Sequence, residues 1–85
     1  MMVSMYYVYI LFNKITRRYY IGYTSNLRRR IGQHLDGKVK STKSNLNYEL
    51  VFYCAFKYKN LAVKFERYLK SGSGVAFMRK RLISG

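Results

Sequence analysis

Two tyrosine-centred runs, Tyr7-Val8-Tyr9 and Tyr20-Ile21-Gly22, precede a stretch in which Arg30 and His34 stand four residues apart. One short hairpin followed by one helix would gather phenols, a guanidinium and an imidazole. Cutting a phosphodiester calls for such groups: an activated water, charge neutralisation at the phosphorane-like transition state and, usually, a divalent metal on the non-bridging oxygens. A free phenol titrates near 10, so a tyrosine acting as base at neutral pH needs roughly 4 kcal/mol of help from nearby cations or metal. Orienting the water, or relaying its proton, asks less. Arg30 could clamp a phosphate bidentately where lysine would be only a point charge. It could equally be one more member of the solvated run Arg28-Arg29-Arg30. His34 is the only histidine and could be an ordinary packed or surface residue; with ten tyrosines, Tyr9 and Tyr20 could each be core.

A metal ligand follows by elimination, because the chain holds only three carboxylates, Asp36, Glu49 and Glu66, and hard cations such as Mg²⁺ want oxygen ligands. Asp36 lies at a helix end and Glu49 at a strand start. Glu66 falls mid-helix after Phe65, on the border of an apolar stripe, and is the best candidate. Its plainer role is an ion pair with Lys70 at i+4. One carboxylate makes a weak site, so substrate phosphate and water would complete the shell. The run Lys70-Ser71-Gly72-Ser73-Gly74 could form a backbone nest for phosphate or a simple helix-to-helix connection. No Gly-Lys-Ser/Thr follows it, so nucleotide hydrolysis has no motif support.

The partner is indicated by charge: seventeen Lys plus Arg against three acids give +14 at neutral pH. A polyanion, nucleic acid above all, is the natural partner, and binding should weaken steeply with salt. The positive charge is spread along the chain instead of forming one amphipathic stripe, so a membrane surface is not expected. A single cysteine, Cys54, excludes an intramolecular disulfide and sits in an apolar run as core material. With no long apolar helix or secretory segment, the chain reads as cytosolic.

These residues need elements to hold them. Eighty-five residues suit one domain, 1–85 with its core at about 6–82, in which tyrosine does much of the packing. Residues 5–12 and 19–24 are β-branched and aromatic runs joined by a short polar loop, hence a hairpin. A regular hairpin makes Tyr9 and Tyr20 direct cross-strand partners. Ser25 or Asn26 can cap a helix over 26–36, with Leu27, Ile31 and Leu35 inward and Arg30 and His34 stacked on one flank. Residues 37–48 read as a loop whose Lys38, Lys40 and Lys43 are candidate phosphate contacts. Glu49–Tyr58 carries a strand of nearly continuous apolar character, expected when both faces are covered. Asn60 would cap the next helix, with Leu61 or Ala62, Phe65 and Leu69 inward. Gly72 and Gly74 would end it, and Ser73 or Gly74 would open a last helix through Val75, Met78 and Leu82.

Taken in order and spacing, these segments resemble the GIY-YIG nuclease domain, in its small single-domain bacterial, excinuclease-subunit-like branch. The similarity covers about Tyr6 to Leu82. It rests on Tyr7-Val8-Tyr9, on Tyr20-Ile21-Gly22 with Tyr23-Thr24, on Leu27-Arg28-Arg29-Arg30 with His34, on Gly37-Lys38-Val39-Lys40-Ser41-Thr42, on Leu50-Val51-Phe52-Tyr53 and on Phe65 through Gly74. It implies an α+β fold, a small three-stranded antiparallel sheet flanked by helices in the order ββαβαα. It implies a metal-dependent endonuclease using one Mg²⁺ or Mn²⁺ ion on DNA ahead of RNA, structure-selective or weakly specific, in DNA repair or recombination. By position, Tyr9 and Tyr20 would position or deprotonate water, Arg30 would stabilise the phosphate, His34 would assist proton transfer and Glu66 would hold the metal. Arg28, Lys38, Lys40, Lys43 and Lys70 would contact nucleic acid, and Gly22 would keep its strand low where substrate approaches the backbone. Tyr7 replaces the first-motif glycine, and no asparagine follows Asn60 where many members have one; Ser71, Ser73 or Arg79 could substitute. The rival expectations are a catalytically idle nucleic-acid-binding module of the same fold and a small ribosome-associated basic protein.

Overall fold

A computed structural model of the protein describes residues 4–36 and 47–83. Strands β1 (Tyr6–Asn13) and β2 (Tyr19–Thr24) are followed by helix α1 (Leu27–Leu35), strand β3 (Tyr48–Phe56) and helices α2 (Lys59–Leu69) and α3 (Gly72–Phe77), and α3 runs on into a π-helical turn, Met78–Leu82. The strands form one antiparallel sheet in the order β2-β1-β3, so the first strand in sequence is central in space. This is the α+β, ββαβαα architecture expected from the sequence.

The β1–β2 turn decides which side chains meet. Asn13 Oδ1 accepts from the backbone N–H of Ile15 and of Thr16, each at 2.9 Å, and Arg17 takes φ 61°, the left-handed conformation. The loop therefore closes on Asn13 and Arg18, whose backbones bond at 2.9 Å. As a result Tyr9 pairs with Gly22 and Leu11 with Tyr20. The direct Tyr9–Tyr20 pairing expected of a regular hairpin is thus corrected to a diagonal one. Because the offset is two residues and side chains alternate with period two, both tyrosines still occupy one face.

On the opposite face Val8 and Ile10 pack with Ala62, Leu69 and Met78, framed by Tyr19, Ile21, Cys54, Phe56 and Phe65. Ala62, not Leu61, is the buried position of α2; Leu61 stays exposed. Cys54 is half-buried against this core, and burial pushes its thiol up. Tyrosine contributes less to the interior than its abundance suggests. Tyr6, Tyr19 and Tyr23 flank the core half-buried, and Tyr9 is the one fully buried tyrosine among the described residues.

Three further expectations are corrected. β3 is not covered on both faces: it is an edge strand with Leu50, Val51, Tyr53 and Ala55 exposed, and the doubly covered strand is the central β1. Its apolar run resembled a buried strand because composition alone does not report position in a sheet. The N-cap of α2 is Tyr58, which makes no side-chain cap bond, so Asn60 lies inside the first turn. Ser71 caps α3, its Oγ accepting from the Gly74 N–H at 3.2 Å. The glycines are therefore inside α3 and do not end α2. Gly74 is there for close approach, since a Cβ at that position would fall 1.6 Å from the Tyr68 carbonyl oxygen.

Candidate active site

The hairpin and α1 together build the site. Asn26 caps α1, its Oδ1 accepting from the Arg29 N–H at 3.1 Å, and this sets the phase of the helix that carries Arg30 and His34. His34 comes to rest on the tyrosine face of the sheet. Its ring stands edge-on to Tyr20, with centroids 4.9 Å apart and planes 63° apart, and close to Tyr9 at 5.5 Å and 68°. Tyr9 and Tyr20 are themselves 6.3 Å apart. The diagonal register makes this three-ring cluster.

Within it the Tyr9 hydroxyl and His34 Nε2 lie 2.8 Å apart, both groups buried at 1% exposure. Burial and the nearby Arg30 charge hold the His34 imidazole down to about 4, so it is neutral at pH 7. Burial, above all, pushes the Tyr9 phenol above its ordinary value, although hydrogen bonding and charge from Arg30 pull the other way. Two neutral groups thus share one proton position. Arg30 is a donor only and its hydrogen bond with Tyr9 lowers the phenol, which favours the tautomer in which the phenolic oxygen accepts from Arg30 and its own proton points to Nε2. The opposite tautomer would strand a phenolic proton in a buried site, at a cost of about 1–3 kcal/mol.

Two charged groups, Arg30 and Glu66, act on the same phenol. Arg30 is half-buried, unlike its exposed neighbours Arg28 and Arg29, and its Nη1 donates to Gln33 Oε1 at 3.3 Å. It has therefore left the solvated run and turned inward. Glu66, on α2, lies close enough for its charge to raise the Tyr9 phenol. Its carboxylate also meets the Lys70 ammonium at 2.7 Å. The ion-pair reading of Glu66 holds, and the charge of its carboxylate also acts on the Tyr9 phenol. Lys70 accordingly sits beside the candidate metal ligand.

Gly22 makes room for a side chain of the neighbouring strand. A Cβ there would come 2.3 Å from Cζ and the hydroxyl of Tyr9. The ring of Tyr9 lies across its cross-strand glycine, a position that a side chain would block. The close approach is by a side chain of the protein itself, which no sequence spacing announced.

The other candidates are dispersed. Lys38, Lys40 and Lys43 lie outside the described residues. Arg28 is exposed on α1. Of the three substitutes for the absent asparagine, Ser71 is committed to the cap of α3, and Ser73 is exposed. Arg79 lines a cavity of about 320 Å³ with Tyr19 and Ile21, β2 residues of opposite parity to Tyr20 and so on the other side of the sheet. Gln33 is the neighbour that sequence reasoning missed; its signal was the i+3 spacing from Arg30.

No group of three or more His, Cys, Asp or Glu side chains converges among the described residues. Asp36 is the exposed C-cap of α1, and Glu49 pairs with Lys14 at 3.8 Å. Glu66, its side chain 18% exposed, is the one carboxylate bearing on the phenol cluster. A single hard oxygen anchor beside phenols fits one divalent ion held at one point, with phosphate and water supplying the other ligands. None of the helices described is long and apolar enough to cross a membrane.

Comparison with known proteins agrees with the geometry. A profile of the GIY-YIG catalytic domain matches residues 5–78, a span that includes Tyr9, Tyr20, Arg30, His34 and Glu66. The chain is similar to a UPF0213 protein of Streptococcus pneumoniae serotype 4, 42% identical over 53 residues that make up 61% of this chain and 54% of that protein. It thus spans about half the length of that curated relative. Its fold is similar to the solution NMR structure of a UPF0213 protein from Bacillus halodurans, with a TM-score of 0.60 and 32% identity over 94% of this chain and 87% of the other.

Proposed function

The chain belongs to the GIY-YIG family of catalytic domains, a nuclease family, and from that premise we propose that it hydrolyses phosphodiester bonds in DNA with one Mg²⁺ or Mn²⁺ ion held at Glu66. Branched or flapped DNA, of the kind met in repair and recombination, is the substrate class. The observation that carries the proposal is the Tyr9–His34 contact of 2.8 Å, on whose hydroxyl Arg30 and Glu66 both bear.

Polarisation of a phosphoryl oxygen, and of water beside it, is the chemistry that a divalent ion bound at Glu66 would supply. The protein's own residues do the rest. Tyr9 receives a proton from the attacking water as it passes its own to His34 Nε2, so no free phenolate is needed. At rest that relay is closed. Burial holds the imidazole low and the phenol high, so moving the proton from oxygen to nitrogen is uphill in the resting protein. The cationic charge of Arg30 is part of what holds the imidazole down. A phosphate clamped by Arg30 offsets that charge and makes His34 a better acceptor, which couples substrate binding to activation of the relay. Tyr20, edge-on to the imidazole, keeps the ring in its plane. Lys70 must yield the Glu66 carboxylate to the ion, and its ammonium is then available to the substrate's phosphate.

The experiment is cleavage of flapped and branched DNA with Mn²⁺ by the wild type and by Glu66→Ala. Metal-dependent cutting by the wild type alone is expected, and equal cutting by both would sink the mechanism. The second reading, a nucleic-acid-binding module without catalysis, draws support from the Glu66–Lys70 pair at 2.7 Å, which neutralises the candidate ligand. It calls for salt-sensitive binding, no metal-dependent cutting and no change of affinity in Glu66→Ala.

A further inference from the structure

The face that carries Tyr9 does not end at β1. Tyr53 on β3 is the direct cross-strand partner of Tyr9, and Ala55 is the partner of Tyr7. Directly paired residues share a face, so Tyr7 and Tyr53 continue the surface on which Tyr9, Tyr20 and His34 cluster. The continuation is open. Tyr53 is 54% exposed, although it lies in the middle of its strand. Its ring stands 6.4 Å from that of Tyr7 with the planes 54° apart, and the small exposed Ala55 leaves the surface beside Tyr7 low.

We propose that Tyr53 and Tyr7 form a stacking platform for unpaired bases, so that the substrate presents a single-stranded segment next to the phosphate to be cut. Two aromatic rings set on a sheet are what splayed bases need, because every base has a π-face and stacking is tolerant of sequence. A base within a duplex has no face to offer them. Charge selects a polyanion over an apolar protein partner: seventeen cationic side chains oppose three acids, and two of those, Glu49 and Glu66, are already paired with lysines. Position links the platform to the site. Adjacent strands place the Cα atoms of Tyr53 and Tyr9 about 5 Å apart, so a base on Tyr53 belongs to a nucleotide flanking the one whose phosphate faces Tyr9. This deepens the nuclease reading and takes from it only the location of the cut.

The test measures binding in chelator, where nothing is cut. The chain has no tryptophan, so Tyr53→Trp introduces a single reporter at the platform. Its emission should be quenched by a single-stranded oligonucleotide and unaffected by the same sequence as a blunt duplex. In parallel, Tyr53→Ala should bind the single strand about tenfold more weakly while its duplex affinity stays within about twofold. Tyr53→Phe, which keeps the ring, should bind like the wild type. Unquenched tryptophan, or unchanged single-strand affinity in Tyr53→Ala, would overturn the proposal. So would an equal loss on single strand and duplex, or a change in oligomeric state with affinity per protomer unchanged, which would make the face a protein interface. A chain that never cuts DNA can still pass this test and a chain that cuts can fail it, which keeps the two readings separable.

Discussion

The two faces of the sheet use the same central strand for opposite purposes. On one, Val8 and Ile10 are fully buried among aliphatic and aromatic neighbours from α2 and the π-helical turn. On the other, Tyr9 is just as buried but spends its hydroxyl on His34, and the surface beyond it stays open at Tyr53. Burial therefore does not separate core from site in this molecule. What separates them is the chemistry that burial acts on. Around Val8 and Ile10, exclusion of water stabilises the fold; around Tyr9 and His34 it keeps both titratable groups neutral and poised against each other.

The sharpest way to break this contrast is to substitute neighbours on β1. Tyr9→Phe should lower the single-turnover cleavage rate by about 10²–10⁴-fold and cost about 1–3 kcal/mol of stability, because it takes a hydrogen bond from a buried imidazole. Ile10→Ala should cost about 2–5 kcal/mol of stability while activity per folded molecule persists. Matching losses of activity per folded molecule in the two variants, with the folded fraction read by urea denaturation, would erase the distinction between the faces.

Acid should attack the site face selectively. Folding lowers the His34 value from 6.5 to about 4, so between those values the unfolded chain binds more protons than the native one, and stability falls as pH falls through that window. The loss should reach about 3 kcal/mol by pH 4. Denaturation series at pH 7 and pH 4 should show this slope in the wild type and lack it in His34→Gln. An identical slope in both would assign the acid sensitivity elsewhere.

The smallest effect belongs to the Glu66–Lys70 pair. Lys70→Met should change stability by less than about 1 kcal/mol, yet tighten Mn²⁺ binding by freeing Glu66, as measured by paramagnetic relaxation or calorimetry. Unchanged or weaker Mn²⁺ binding would mean that Lys70 does not compete for the carboxylate.

The order of elements was legible in the sequence because each depends on local signals. Asn26 before Leu27-Arg28-Arg29-Arg30 marked α1, and the aromatic runs marked β1 and β2. The family pattern then supplied Tyr9, Tyr20, Arg30, His34 and Glu66, whose spacing alone left each with an ordinary structural reading. Features that hinge on the third dimension were hidden. The register of the hairpin is set by the Asn13 side chain and the positive φ of Arg17, which no hydrophobic pattern records. The exposure of β3 follows from its edge position, not from its composition. Gly22 had a recognisable place in a motif, but its reason, the ring of Tyr9 lying across it, requires two strands to be seen together.

The central claim is that Tyr9 and Glu66, from different layers of the fold, act on one phosphate as a unit. A double-mutant cycle of Tyr9→Phe and Glu66→Gln, read by single-turnover cleavage of a flapped DNA with Mn²⁺, tests it most directly. Residues that act as a unit should give a double variant hardly slower than the worse single one. Losses that multiply, or a wild type that does not cut, would contradict it.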